Sequence, residues 1–143
     1  MSELVYGDPA IDGWVADKLG LRQWPESYSI ANVQNRFILG ATVMHNWYPE
    51  TGVIEMTSVS DSPRWLSRKM INAVFHYAFD VLACQMVVLR VSEINTVMVD
   101  IANRLGFVGY LIPRLRGRNE AEWVFCLTDD KWLTSRFRSK LNG

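Results

Sequence analysis

Residues 86–91 read Met-Val-Val-Leu-Arg-Val, an apolar run broken only by Arg90 near its end. A strand without alternation is one covered on both faces, the usual setting of a strand with a parallel neighbour. Parallel neighbours cannot be joined by a tight turn; the chain needs a crossover of about a dozen residues or more. The segment just upstream supplies it. From 64 to about 82, Leu66, Met70, Ala73, Val74, Tyr77, Ala78 and Val81 recur at helical spacing. Before that helix, the run 53–59 alternates, with Val53, Glu55, Thr57 and Val59 on one face and Ile54, Met56 and Ser58 on the other. Strand, long helix and buried strand therefore form one unit, and its crossover is expected to be right-handed.

The rest of the chain builds around this unit. Pro9 opens a short helical pattern with Ile11, Val15 and Leu19 on one face, and Gly20 closes it. Runs 28–33 and 37–48 read as strands joined by a turn at 34–36, with Gly40 marking a bulge. Pro49-Glu50-Thr51-Gly52 is a turn into 53–59, so these three strands form an antiparallel meander. Asn95 to Leu105 is a second helix with Met98, Ile101 and Leu105 as its stripe and Gly106 at the position after its end. Runs 108–112 and 123–127 close the sheet, joined by the basic loop 113–120, and 130–141 is expected to be a short amphipathic helix. The expected fold class is α/β (α+β): one domain with a mixed, mostly antiparallel central sheet and helices on both faces.

A chain of 143 residues with 49% hydrophobic and 21% charged content is not a disordered tail, a collagen-like chain or a disulfide scaffold. Cys84 and Cys126 each lie inside an apolar run and read as small buried hydrophobes in a reducing cytoplasm. No apolar stretch reaches the ~20 residues that span a bilayer. Residues 1–17 are acidic and lack a basic leader region, so no signal peptide is expected, and the location expected is cytoplasmic. The two histidines and two cysteines show no zinc spacing, so no metal site is expected. Phosphate-loop, dinucleotide-binding and nucleophile-elbow motifs are absent from the sequence.

Formal charge sums to zero, yet it is unevenly placed. Residues 1–63 carry three Lys/Arg against eight Asp/Glu, residues 64–118 carry eight against three, and the remainder carries four of each. Either the middle of the chain faces an anion or its surface is simply uneven. The neutral total argues against a protein that coats nucleic acid by charge alone. The step in charge falls at the helix expected from Arg64, where Arg64, Arg68 and Lys69 crowd the first turns. Cations there oppose the helix macrodipole by about 0.3–1 kcal/mol each. A helix N-terminus with free amides suits a phosphate. The alternative is a solvated basic helix start.

The segment from Gly52 to Phe107 resembles the acyl-CoA-binding core of the GNAT family of N-acetyltransferases. Val59 matches the family's strand-end valine, and 64–69 (Arg-Trp-Leu-Ser-Arg-Lys) occupies the pyrophosphate loop. Residues 87–91 match the next strand, Asn95 the helix-opening asparagine, and Leu105-Gly106-Phe107 the Leu-Gly-Phe that ends that helix. The chain is also similar in general look to small acetyltransferase-like proteins of phages and prophages. Two features depart from the family pattern. Ser67 and Lys69 stand where the loop normally has glycines, and Ala102 stands where many members carry a tyrosine that protonates the departing thiolate.

The resemblance implies binding of acetyl-CoA or a related acyl-CoA and direct transfer to an amine, small-molecule or macromolecular. It implies that Val59 contributes backbone contacts, that Arg64, Ser67, Arg68 and Lys69 hold the pyrophosphate, and that Asn95 holds the pantetheine arm. Attack requires a neutral amine, so a base is needed. Glu55, mid-strand, is the first candidate; the alternative is a glutamate on a solvated face. His45 is the second, or else a surface histidine near a turn. Ser92 is either a substitute acid or a helix-start cap. His76 lies on a polar stripe with Asn72 and Asp80 and reads as helix surface. Arg114, Arg116 and Arg118 either grip an acidic or nucleic-acid acceptor or decorate a hairpin tip. Two rival readings are a GNAT-fold binding module and a phage-type nucleic-acid-modifying enzyme; homodimer formation is possible in either case.

Overall fold

The computed structural model describes residues 2–21, 24 and 26–139. In chain order the elements are β1 (Glu3–Tyr6), α1 (Pro9–Leu19), β2 (Ser27–Gln34), β3 (Phe37–Tyr48), β4 (Val53–Ser60), α2 (Arg68–Phe75), β5 (Met86–Ser92), α3 (Thr96–Leu105), β6 (Val108–Ile112), β7 (Glu122–Thr128) and α4 (Asp129–Leu133). The strands form one sheet in the order β1-β2-β3-β4-β5-β7-β6. Only β4 and β5 run parallel, joined by the α2 crossover; every other pairing is antiparallel. The mixed, mostly antiparallel sheet with helices on both faces is the expected one.

Alternation sorts the side chains into two cores. Ile30, Met44, Ile54, Met56, Val87, Leu89, Phe125 and Leu127 face α2 and α3. Ala31, Ala41 and Val43 face Ile11 and Val15 of α1. β5 lies between β4 and β7, but only one of its faces is fully covered: Val87, Leu89 and Val91 are buried, whereas Met86 and Val88 are partly exposed and Arg90 is exposed, so the expected strand covered on both faces is covered on one. Among the described residues no helix is long and apolar enough to cross a membrane. Both cysteines are free, Cys84 buried and Cys126 partly so.

Three local expectations change. First, β1 adds an edge strand on β2 that was not expected; four residues are too few to show a period. Second, the helix expected over 64–82 is three pieces. Pro63–Trp65 makes a single 3₁₀ turn capped by Ser62, and Leu66 then leaves helical space at φ −94°, ψ 65°. Ser67 restarts the helix as an N-cap, its Oγ accepting from Met70 N at 3.1 Å. Beyond Phe75 the helix widens into a π stretch, His76–Val81, closed by Leu82 N donating to Tyr77 O at 2.9 Å. Third, the tail helix expected over 130–141 is only the short α4. Beyond it Asn72 takes hold of the chain, donating to Phe137 O at 2.8 Å and accepting from Ser139 N at 2.7 Å. Those contacts replace helical ones with tertiary ones; residues 140 and 141 of the expected span lie outside the described residues.

Gly40 does mark a bulge. Asn32 pairs with Gly40 and Val33 with Ile38, so Leu39 is skipped. The Leu39 carbonyl accepts from Asp61 N at 2.9 Å and Ser62 N at 3.1 Å, which ties the end of β4 and the loop after it to β3. Trp65, 4% exposed, lies against Gly40, where an added Cβ would stand 2.6 Å from its ring and Cβ atoms. Overpacking of this kind costs about 1–3 kcal/mol. Gly40→Ala is therefore expected to lower the thermal midpoint by several degrees, and an unchanged urea or thermal midpoint would show that Trp65 is free to move.

Candidate active site

The site follows from where two strands stop pairing. β4 and β5 pair from Val53↔Met86 to Met56↔Leu89 and no further. β4 nevertheless continues to Ser60, held on its other side by β3, and β5 continues to Ser92, held by β7. Past Met56 and Leu89 the facing backbone edges diverge. Two clefts open there. One, about 330 Å³, is lined by Ser58, Val59, Trp65, Asn95, Val97 and Met98 among others. The second, about 440 Å³, is lined by His45, Glu55, Thr57, Arg90, Arg116 and Glu122 among others.

At the first cleft, Val59 sits on the diverging edge of β4, and Asn95 caps α3 with its Oδ1 accepting from Met98 N at 3.2 Å, its amide nitrogen having no partner among the described residues. The start of α2 lies nearby. Ser67 commits its hydroxyl to Met70 N, and the N–H groups of Arg68 and Lys69 have no partner among the described residues. The guanidinium of Arg68 also reaches Phe137 O at 3.4 Å. Arg64 lies in the 3₁₀ turn before this helix rather than inside it, and like Arg68 and Lys69 it is exposed. The loop that carries them is fixed from beneath: Asn32, 1% exposed, donates its Nδ2 to Trp65 O at 2.8 Å.

At the second cleft, the structure brings Glu55 and His45 together across β4 and β3, where they are register partners. His45 Nε2 lies 2.8 Å from Thr57 Oγ1 and 3.6 Å from Glu55 Oε2. Asn46, in a left-handed conformation, donates to Glu55 Oε1 at 3.3 Å. The Trp24 ring stands against the imidazole, centroid to centroid 4.8 Å. Burial lowers the His45 pKa below its usual value, against the opposing pull of the Glu55 charge. His45 is thus not a surface histidine but a buried one, only 9% exposed.

The remaining sequence candidates are placed differently. Ser92 donates to Glu120 Oε2 at 2.6 Å and accepts from Ile94 N at 3.3 Å, a cap of the chain entering α3, and it lines neither cleft. Of the three loop arginines only Arg116 reaches the cleft; Arg114 and Arg118 are exposed on the turn. Ala102 is fully buried in the α3 face of the core. His76 pairs with Asp80 at 2.8 Å on the helix surface, as its stripe suggested.

Sequence reading missed Arg90 and Glu122. Glu122 is almost fully buried and accepts from Arg90 Nε at 2.9 Å and Arg116 Nε at 2.8 Å. The one signal was Arg90 itself, the single charge in an otherwise apolar strand.

No protein-family model matches the chain, and no curated protein sequence does. Solved structures do. Mutant forms of the spermidine/spermine N-acetyltransferase SpeG from Vibrio cholerae superpose with a TM-score of 0.76 at 13% identity, covering 93% of this chain and 98% of that one. A dodecameric structure of spermidine N-acetyltransferase from the same organism gives 0.72 at 13% identity, covering 93% and 96%. A T. thermophilus protein assigned as an acetyltransferase gives 0.65 at 19% identity, covering 83% and 66%. At these identities the likeness is one of fold.

The His45 pKa is depressed on folding, so the unfolded chain binds a proton near pH 6.5 that the folded chain refuses until lower pH. The stability this contributes is present above pH 6.5 and is lost as pH falls through the folded value. Urea unfolding between pH 7.5 and 5 is expected to show that loss, and His45→Gln is expected to flatten it; equal slopes in the two proteins would refute the assignment.

Proposed function

We propose, starting from a chain with the GNAT acetyltransferase fold, that the protein transfers an acetyl group from acetyl-CoA, or a related acyl group from its CoA thioester, directly to an amine. The observation that carries the reading is the parting of β4 from β5 beside a cationic helix start whose Arg68 and Lys69 amides have no partner among the described residues. A linear thioester fits such a cleft: the diverging edges offer unpaired N–H and C=O groups to an amide-rich arm, and the start of α2 offers amides and cations to a diphosphate. Lys69 does not prevent this, since an amide donates whatever its side chain when the backbone is helical, and Ser67, extended at the N-cap, spends its hydroxyl on Met70 N and leaves the amides of Arg68 and Lys69 free. Arg64, Arg68 and Lys69 supply charge at that end, Val59 backbone contacts, and Asn95 its unpartnered amide nitrogen.

Acetyl-CoA, when bound, supplies the thioester carbonyl. The chain's own residues handle the amine. An alkylammonium holds its proton with a pKa near 10.4, and only the neutral amine attacks. Glu55 attracts the ammonium and accepts its proton, directly or through water. His45, neutral at pH 7 because it is buried, leaves the Glu55 charge uncompensated and available. Thr57 and Asn46 hold the pair in place. No tyrosine stands at position 102, and a thiolate from a thiol with a pKa near 8.5 would be a tolerable leaving group without one. The solved relatives named for spermidine acetylation support an amine as acceptor.

Isothermal titration with acetyl-CoA is expected to give saturable binding, weakened at least tenfold by Arg68→Glu with Lys69→Glu; no binding at millimolar ligand would end this reading. Glu55→Gln is expected to lower kcat by roughly 10²–10⁴-fold with acetyl-CoA affinity retained. A second reading, a binding module that holds the thioester without turnover, is favoured by the absence of a hydroxyl at Ala102. Thiol release against a panel of amines separates the two, because a module binds and releases nothing.

A further inference from the structure

We propose that the cleft selects amines that also carry an anionic group, a carboxylate or a phosphate, and that Arg90 and Arg116, oriented by Glu122, are the residues that recognise it. The inference rests on the acyl-transfer reading for the role of Glu55, but the anion subsite stands on its own geometry. Glu122 has a side chain only 3% exposed, yet it faces two guanidinium groups that are 46% and 40% exposed. One carboxylate balances one of them, so the cluster keeps an excess positive charge in a concave site. Both arginines bind Glu122 through Nε, at 2.9 and 2.8 Å, and Arg116 Nη2 is further held at 3.4 Å by the Arg90 carbonyl. The Nη1 groups of both have no partner among the described residues. Held in this way, the terminal nitrogens keep the planar fork that suits carboxylate and phosphate oxygens.

The opposite wall supplies the complementary charge. Glu55 and His45 lie on β4 and β3, while Arg90, Arg116 and Glu122 lie on or next to β5 and β7, and all five line one cleft. Glu55 is level with Val88, so Arg90 stands two residues further along the neighbouring strand, on the same face. Along the strand that offset is roughly 7 Å. The cleft is therefore bipolar, with an anion for the ammonium on one wall and cations on the other. A short amine with an anion at its far end meets both walls with opposite charge. A diamine of the same length meets the arginines with like charge.

The test compares four acceptors of similar length in thiol release with acetyl-CoA: 4-aminobutyrate, 3-aminopropyl phosphate, n-butylamine and 1,4-diaminobutane. The expected result is a kcat/KM at least tenfold higher for one or both anionic amines than for n-butylamine, with the diamine slowest. Which anionic amine leads tells carboxylate from phosphate. Arg116→Gln, Arg90→Gln and the positioning change Glu122→Gln are each expected to reduce the ratio of anionic to neutral amine to within about threefold, through KM. A diamine used as well as 4-aminobutyrate, or a ratio that survives Arg116→Gln, would overturn the proposal while leaving acyl transfer standing. Should no amine be turned over, the subsite is read directly by the arginine Nε–H NMR signals of the wild-type protein. Shifts of Arg90 and Arg116 on adding 4-aminobutyrate or 3-aminopropyl phosphate, and none with 1,4-diaminobutane, support it without the transfer reading. No shift with either anion overturns it.

Discussion

The separation of β4 from β5 after Met56 and Leu89 is the constraint on which the remaining structure turns. A sheet does not open in its middle without compensation, because each buried backbone group left unpaired costs about 1–3 kcal/mol. Here both strands are held on their outer sides. β4 is paired with β3 as far as Ser60↔Gly40, and β5 is paired with β7 as far as Ser92↔Glu122. The bulge at Leu39 then anchors the exit of β4 through Asp61 and Ser62. The wedge is braced at one wall by Trp65 and at the other by Met98 and Ile101 of α3. Gly40 is required because that bracing tryptophan sits where a Cβ would be. The opening is thus a built feature of the sheet, exposed to whatever can satisfy its edges.

How much of this was legible depends on whether a feature is periodic. The β4–crossover–β5 unit was, because an apolar run marks a central strand and a helix repeats every 3.6 residues. The order of the elements and the two faces of β4 followed from the same signals. What did not follow was local and non-periodic. The break at Leu66–Ser67 depends on a serine competing for the backbone, which a hydrophobic stripe does not register. The tail departs from its helical pattern because Asn72, distant in the chain, decides its course. At the site, Glu55 was legible from its strand position and the cations of 64–69 from their crowding. His45 was read between surface and base because burial by Trp24 and pairing with β4 are tertiary facts. Glu122 had no signal at all: a glutamate at the start of a strand reads as solvated until two arginines close on it.

The charges form a pattern that stability alone does not explain. Cations at the start of α2 oppose the helix dipole, and the Glu122 cluster keeps two guanidinium groups close together around one buried carboxylate. Each arrangement is costly in the free protein and becomes favourable when an anion arrives. The cations lie at two separate places, one beside the first cleft and one inside the second, with Glu55 and His45 at the start of the divergence. In the proposed reaction, a ligand with one anionic end and an acceptor with another would satisfy both without meeting.

Ala102 is consistent with such a division of labour. Proton handling in acyl transfer has two halves, removal from the amine and delivery to the thiolate, and they differ in difficulty. An amine near pKa 10.4 is almost wholly protonated at neutral pH, whereas a thiolate derived from a thiol near 8.5 is only weakly basic. A site with one well-built proton acceptor and no dedicated donor therefore serves the harder half. In the proposed transfer, the buried His45, set against Glu55 and Thr57, would belong to that acceptor, and the fully buried alanine on α3 would leave the easier half to solvent.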